Sequence, residues 1–124
     1  MSPSRAILLV DHGSRCAEAN ALLESVARCV RERLPDRLVA VAHLELAAPG
    51  VTEAVDALVA AGAREVVVAP YFLAPGQHGV RDLPALASLC AERHPDLRVR
   101  VAAPLGLHPG LVAALLDRVR EAEA

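Results

Sequence analysis

The chain is poor in aromatic residues and contains neither lysine nor tryptophan. It has one Phe and one Tyr, and aromatic residues are 2% of the 124 positions. So few rings argue against a platform on which the bases of single-stranded nucleic acid stack. All basic side chains are Arg, the formal net charge is −2, and charges of one sign form no block. The charge pattern therefore indicates neither a nucleic-acid-binding face nor a polybasic membrane-binding patch.

Cysteines and long apolar runs are scarce as well. Cys16, Cys29 and Cys90 are odd in number and widely spaced, which predicts neither a disulfide framework nor a zinc ribbon. We expect reduced thiols and a cytoplasmic protein. The apolar run at residues 6–10 is too short for a signal-peptide core, and no run reaches the roughly 18–20 residues of a membrane span. Because hydrophobic residues are 54% of the chain, we expect one packed domain over residues 1–124.

Short apolar runs alternate with segments of helical periodicity along the chain. The predicted strands are residues 6–10, 38–46, 65–69 and 97–102. The predicted helices are residues 17–34, 52–61, 82–94 and 111–122. No hairpin turn signal interrupts this alternation, which is typical of a parallel sheet with right-handed crossovers and helices on both faces. The predicted fold class is therefore α/β, a three-layer α/β/α arrangement around a four-stranded parallel sheet.

Polar residues gather where the predicted strands end. They are Asp11, His12, Glu45, Gln77, His78 and His108. Because the carboxyl ends of parallel strands meet at one edge of a sheet, we expect a ligand site there. Two imidazoles, from His12 and His78, and a carboxylate suit a divalent metal such as Co, Ni, Fe or Zn. Three ligands at most leave the coordination sphere open, which fits transfer or catalysis better than a structural site.

Ordinary structural roles compete with this interpretation. His12 could simply hydrogen-bond the backbone at a strand end, and Asp11 could be either a helix cap or a ligand. Glu45 lies in a strand expected to be buried, so it needs a metal or a salt bridge with an Arg. His108, which precedes Pro109, could begin a helix or belong to the site.

The remaining residues near this edge give weaker signals. We expect His43 to be buried and hydrogen-bonded, and His94 to complement a helix dipole and nothing more. The segment His-Gly-Ser at 12–14 resembles a turn before a helix, where backbone N–H groups hold anions. It matches neither a Gly-rich nucleotide loop nor a nucleophile elbow, so Ser14 is a poor nucleophile candidate. A third alternative is a doubly wound signalling or nucleotide-binding domain, but this sequence lacks the Gly-rich loop that a nucleotide-binding domain has.

Four segments taken together carry a family resemblance. They are HGSR at 12–15, LEL at 44–46, PYFLAPGQHGVRDLP at 70–84 and LGLHP at 105–109. At this spacing, over nearly the whole chain, they resemble the sirohydrochlorin chelatases of the short, single-domain CbiX type. The resemblance implies a class II chelatase fold with strand order 2-1-3-4. It also implies insertion of a divalent metal, Co²⁺ foremost and Ni²⁺ or Fe²⁺ as alternatives, into sirohydrochlorin. No organic cofactor or ATP is implied, and the short forms act as homodimers.

The resemblance also assigns residues. It implies that His12 and His78 bind the metal and that Glu45 is the acidic residue of the strand-two motif. We expect His12, His78 and Glu45 to be catalytic. The rim of the tetrapyrrole substrate carries carboxylates, so we expect polar side chains next to the two histidines to bind it. These substrate-binding residues are Ser14, Arg15, Gln77 and Arg81. The rival function is a metal or tetrapyrrole carrier without turnover, which would use the same residues.

Overall fold

Four strands and four helices alternate along the chain. The structure is a computed structural model that describes residues 4–74 and 79–124, without the side chains of residues 79–82. The strands are β1 (Arg5–Asp11), β2 (Leu38–His43), β3 (Glu65–Pro70) and β4 (Arg98–Val101). The helices are α1 (Ala17–Arg33), α2 (Val51–Ala60), α3 (Gly79–Arg93) and α4 (Pro109–Glu123).

The strands form one parallel sheet in the order β2-β1-β3-β4. The predicted fold class and strand order are therefore confirmed. The order changes direction at β1, whose neighbours are β2 on one side and β3 on the other. In an open parallel sheet, such a switch point is where connections diverge and leave room for a ligand at the carboxyl edge.

Helices cover the two faces of the sheet unequally. On one face, α2 and α3 pack over Leu8, Val66 and their neighbours and bury the larger core cluster. On the other face, α1 packs over β1 and β2 around the fully buried Leu23. Side chains alternate between faces along each strand, so Val67 of β3 points to the α1 side. Val67 is 38% exposed, because α1 does not reach that half of the sheet.

The last helix stands apart from both core clusters. No residue of α4 is buried against the described residues, although its sequence carries an apolar stripe. The other three helices each contribute at least one buried residue to the core. Among the described residues, no helix is long and apolar enough to cross a membrane.

Two boundaries differ from the sequence prediction by three residues, whereas the others agree to within two residues. Strand β2 was predicted to reach residue 46 but ends at His43. Leu46 adopts a φ of 66°, a left-handed conformation that no strand residue has. Helix α3 begins at Gly79, three residues before the predicted start at Asp82, so Pro84 lies inside the helix and removes one helical hydrogen bond.

An acidic residue ties two helices together at the amino edge of the sheet, away from the predicted site. Asp56 of α2 accepts from Arg93 Nη2 at 2.5 Å and lies 2.7 Å from His94 Nε2. The prediction that His94 only complements a helix dipole is therefore wrong. The hydrogen bonds from Arg93, and then His94, hold the pKa of the Asp56 carboxyl below its ordinary value of 3.8.

This ion pair predicts a pH-dependent stability. Because the folded pKa of Asp56 is depressed, its contribution is fully present above about pH 4 and is lost as the pH falls through the folded value. We expect Asp56→Asn to lower the melting temperature at pH 7, and the difference from wild type to close in acid. Thermal unfolding of both proteins between pH 7 and about pH 2 measures this difference in melting temperature. Glu92→Gln, on the exposed side of α3, is the control; an Asp56→Asn difference unchanged in acid contradicts the prediction.

Candidate functional site

The segments that follow the four strands are connected by backbone hydrogen bonds beyond the ends of the sheet. The Glu45 N–H donates to the His12 carbonyl at 3.0 Å, and the Tyr71 N–H donates to the Val10 carbonyl at 2.7 Å. The Leu105 N–H in turn donates to the Phe72 carbonyl at 3.0 Å. Hydrogen bonding thus continues past the end of each strand, and after β4 it extends at least four residues, to Leu105. The result is a continuous backbone ledge at the carboxyl edge, with the segment after β1 near its centre.

A glycine makes the closest contact in this ledge possible. Gly13 has a φ of +88°, a conformation that favours glycine. A Cβ at this position would lie 1.8 Å from the Glu45 carbonyl oxygen and 3.1 Å from the Cβ of His43. Only a residue without a side chain lets the turn after β1 lie this close to the segment after β2. The His-Gly-Ser turn therefore fixes the spacing between His12 and Glu45.

His12 is exposed on this ledge and stacks on an aromatic ring. Its imidazole centroid is 4.5 Å from that of Phe72, with 27° between the ring planes. The contact holds the imidazole by one face and leaves its other face toward solvent. The sequence analysis did not identify Phe72, although the chain's single Phe directly follows strand β3 and its neighbour Tyr71.

Asp11 pairs with a buried histidine. The two residues lie opposite each other in the β1–β2 register, and His43 Nδ1 is 2.5 Å from Asp11 Oδ1. His43 is 4% exposed, so the prediction that it is buried and hydrogen-bonded is confirmed. The carboxylate of Asp11 serves that contact, and the structure records no capping role for it: α1 is capped at Cys16 without a side-chain bond. The pair locks the ends of β1 and β2 just below His12.

Glu45 lies at the expected edge but in a different environment from the predicted one. It was expected inside a buried strand, yet β2 ends at His43 and Glu45 is exposed. The requirement for a salt bridge or a metal to compensate burial therefore does not hold. Its backbone is bonded to that of His12, so the two side chains arise from adjacent points of the ledge.

The turn into α1 is held by its own polar groups. The Ser14 N–H donates to Asn20 Oδ1 at 3.0 Å, and Asn20 Nδ2 donates to the Ser14 carbonyl at 2.7 Å. The Ser14 hydroxyl accepts from the Cys16 N–H at 2.9 Å. Two backbone N–H groups that the sequence suggested for an anion are thus engaged within the turn. Arg15, which follows Ser14, is exposed to solvent.

Several predicted site residues fall where the structure gives no side chain. Gln77 and His78 lie outside the described residues, and the side chain of Arg81 does as well. Within 4–74 and 79–124, apart from those side chains, no three His, Cys, Asp or Glu residues gather as a metal site. The predicted pairing of His12 with His78 remains a prediction.

His108 has the structural role that the sequence left open. It is the N-cap of α4, and its Nδ1 accepts from the Gly110 N–H at 2.9 Å. This bond satisfies one of the free N–H groups of the first helical turn. Its neighbour Leu107 is 97% exposed. The segment after β4 therefore contributes an apolar side chain and a helix cap to this edge.

The segments that follow β2, β3 and β4 carry exposed apolar side chains at the same edge of the sheet as His12. They are Leu46, Leu73, Leu105 and Leu107, which are between 37% and 97% exposed. A concavity of about 350 Å³ instead lies at the opposite edge, lined by Arg64, Arg93 and His94 among others. Among the residues that the structure describes, this edge thus combines exposed apolar side chains with the exposed imidazole of His12. Exposed apolar side chains gathered at one edge are typical of a surface that binds a ligand or another protein.

The contact at Gly13 can be tested by adding one methyl group. We expect Gly13→Ala to destabilise the fold by about 1–3 kcal/mol, because the backbone is left-handed and the new Cβ has no room. Gly50→Ala is the matched control, since its Cβ would meet nothing closer than 3.8 Å. Denaturant unfolding of both variants measures the effect. Equal stability of the two variants contradicts the geometry.

Comparison with known proteins places the chain among relatives of this fold. The family model CbiX matches residues 6–122. The sirohydrochlorin ferrochelatase of Arabidopsis thaliana chloroplasts is 39% identical over 92% of this chain and 51% of its own length. The sirohydrochlorin cobaltochelatase of Methanopyrus kandleri is 33% identical over 94% of this chain and 96% of its own.

A solved structure extends the comparison. The sirohydrochlorin chelatase SirB of Bacillus subtilis subspecies spizizenii, crystallised in complex with cobalt, superposes with a TM-score of 0.87 at 27% identity. The match covers 95% of this chain and 50% of that one. The chain thus spans about half the length of the Arabidopsis and Bacillus proteins and nearly all of the Methanopyrus protein. With a family model matched over almost its whole length and the same parallel sheet, the chain belongs to the CbiX family.

Proposed function

We propose that this protein is a chelatase that inserts a divalent metal into sirohydrochlorin without ATP. The observation that carries the proposal is the exposed His12 imidazole, stacked on Phe72 at the carboxyl edge, where exposed leucines also lie. A flat macrocycle can lie on such a surface with its centre at the imidazole. The relatives named above as ferrochelatase and cobaltochelatase support the same reaction.

The reaction exchanges two protons for one metal ion. Two inner nitrogens of the macrocycle each lose a proton as the divalent ion binds, so the ring gains M²⁺ and releases 2 H⁺. A neutral imidazole can ligate a divalent metal or accept a proton. In our proposal His12 and His78 hold the incoming ion, and one of them takes a proton from the ring. Glu45 orients a histidine or binds the ion as it sheds water.

The rim of the substrate is bound by polar side chains. Arg15 and Arg81 are proposed to form charge-assisted hydrogen bonds with substrate carboxylates, with Gln77 beside them. Ser14 accepts a hydrogen bond from the Cys16 N–H, and its hydroxyl proton can still be donated to a carboxylate. The Asn20 clamp on Ser14 then serves to hold that hydroxyl in place.

The finer properties of the enzyme are part of the same proposal. We propose a single domain over residues 1–124 that works in the cytoplasm, with no organic cofactor, in a cobalamin or siroheme type of biosynthesis. The working unit is a homodimer; what supports this is the exposure of His12 and the length of two relatives, which are about twice as long as this chain. A second copy would supply the cover that one chain does not.

Removal of either proposed metal ligand tests the mechanism. We expect His12→Ala and His78→Ala each to lower the rate of cobalt insertion at least about 100-fold, because each removes a ligand or a proton acceptor. Circular dichroism should be unchanged for His12→Ala, since this side chain is exposed. The assay follows the absorbance of sirohydrochlorin with Co²⁺. His108→Asn is the control, because Asn preserves the helix cap; full activity of His12→Ala would refute the assignment.

One series of metal-insertion assays tests both the choice of metal and the alternative function as a carrier. Sirohydrochlorin is mixed with Co²⁺, Ni²⁺ or Fe²⁺, with and without protein. We expect acceleration with all three ions and the largest acceleration with Co²⁺, since imidazole and carboxylate ligands accept each of them. Tight metal or tetrapyrrole binding without any acceleration over the protein-free reaction would favour a carrier instead.

A further inference from the structure

Basic side chains gather at the amino edge of the sheet, opposite to the candidate functional site. Arg5 of β1 lies opposite Glu65 of β3, and Glu65 lies opposite Arg98 of β4. Arg37 precedes β2, and the β1–β2 register, continued by one residue, brings it opposite Arg5. Arg100 lies two residues after Arg98 and therefore on the same face of β4. The fold thus brings together four arginines from widely separated parts of the chain.

These residues line a concavity of about 80 Å³, which we call the arginine pocket; its charged residues are Arg5, Arg37, Glu65, Arg98 and Arg100. Four guanidinium groups and one carboxylate leave three positive charges in excess, counted over the described residues that line it. A guanidinium stays protonated at any ordinary pH, so this excess does not depend on pH. The volume is well below the roughly 300 Å³ of a usual small-molecule site, which favours a small anion over a larger cofactor.

Glu65 is shared between two of the arginines and neutralises neither fully. Its Oε2 is 3.8 Å from Arg5 Nε, and its Oε1 is 3.3 Å from Arg98 Nη1. Both contacts are exposed to solvent, and ion pairs of this kind hold their partners weakly. An incoming anion can therefore bind the same guanidinium groups without first breaking a strong pair.

The other two arginines have no acidic partner in the described part of the chain. No carboxylate there forms an ion pair with Arg37 or Arg100. The Arg37 Nε is in addition buried and forms no hydrogen bond with the described residues. A buried donor without a partner costs free energy that an acceptor in the pocket would recover. The pocket therefore offers donors to a ligand whose oxygen atoms accept hydrogen bonds and carry negative charge.

We propose that the arginine pocket binds a doubly charged phosphoryl group, either inorganic phosphate or the phosphate of a small phosphomonoester. Guanidinium groups bind phosphate oxygens in pairs, and a tetrahedral dianion presents oxygens to several of them at once. A single carboxylate would offset only one of the three excess charges. The pocket lies about 23 Å from His12 along β1. The anion is thus separate from the carboxylates of the proposed substrate, and the proposal does not depend on the proposed reaction.

Folding and anion binding are linked at this pocket. Its arginines come from β1, from β4 and from the segment before β2, so they meet only in the folded sheet. A ligand that binds only the folded chain stabilises it as the ligand concentration rises. We therefore expect phosphate to raise the melting temperature at constant ionic strength, which general screening by salt would not do.

Isothermal titration calorimetry of the full chain with inorganic phosphate tests the proposal, at about pH 8, where phosphate is largely a dianion. NaCl holds the ionic strength constant. We expect Arg37→Gln and Arg98→Gln each to weaken binding at least about tenfold, since each removes charge-assisted hydrogen bonds. Glu65→Gln should bind phosphate more tightly, because the competing carboxylate is lost. Arg28→Gln, on the exposed side of α1, is the matched control and should bind like wild type.

A parallel titration with glycerol 3-phosphate separates the two sources of the phosphoryl group. Tighter binding than that of inorganic phosphate identifies a phosphomonoester as the ligand. Weaker binding identifies free phosphate. Both results support the pocket, provided that Arg98→Gln weakens the binding of the preferred ligand.

Three results would overturn the proposal. The first is an equal rise in melting temperature with NaCl alone at the same ionic strength. The second is loss of phosphate binding in Arg15→Gln but not in Arg98→Gln, which would place the anion at the edge that carries His12. The third is the absence of phosphate binding to wild type. A particle mass, measured by light scattering, that then changes in Arg98→Gln would assign the arginines to a contact between protein chains instead.

Discussion

The close backbone pairing between the ends of β1 and β2 is the constraint on which the site depends. The Leu44 and Glu45 N–H groups donate to the Asp11 and His12 carbonyls, so the parallel ladder continues past both strands. A side chain at Gly13 would leave no room for this pairing. Below it, the bond between Asp11 and His43 fixes the register from within the sheet. His12 is therefore held on a rigid strand end, which is how a parallel sheet offers a reactive group to a ligand.

Much of the fold could be predicted, because it follows from local sequence patterns and from general rules for parallel sheets. The alternation of short apolar runs with helical periodicity is enough to predict a parallel α/β sheet, since such a sheet needs crossovers. The rule that carboxyl ends share an edge brought His12 and Glu45 to one side. Their backbones are indeed hydrogen-bonded to each other. The burial of His43 followed from its place in a strand covered on both faces.

The rest depends on contacts between residues far apart in the chain. The pairing of Asp11 with His43 requires the exact alignment of two strands, which neither strand's own sequence contains. The stacking of His12 on Phe72 requires the loop after β3 to lie beside β1. Glu45 is exposed because β2 ends at His43, and the left-handed backbone of Leu46 shows that the strand does not resume. Leucine rarely adopts that conformation, so an apolar pattern there predicted a longer strand.

The open site and the uncovered helix are two consequences of the same small size. A chain of 124 residues forms a complete sheet, but α1, α2 and α3 cover only three quarters of its two faces: both sides of β1 and β2 and one side of β3 and β4. Within residues 4–74 and 79–124, no helix covers the remaining quarter, and no residue of α4, which carries an apolar stripe, is buried. The His12 side chain is likewise exposed to solvent. A second body of protein would exclude water from the macrocycle in the proposed function and would cover α4. Two relatives are about twice as long as this chain; in the homodimer that we propose, a second copy, related by symmetry, would be that body.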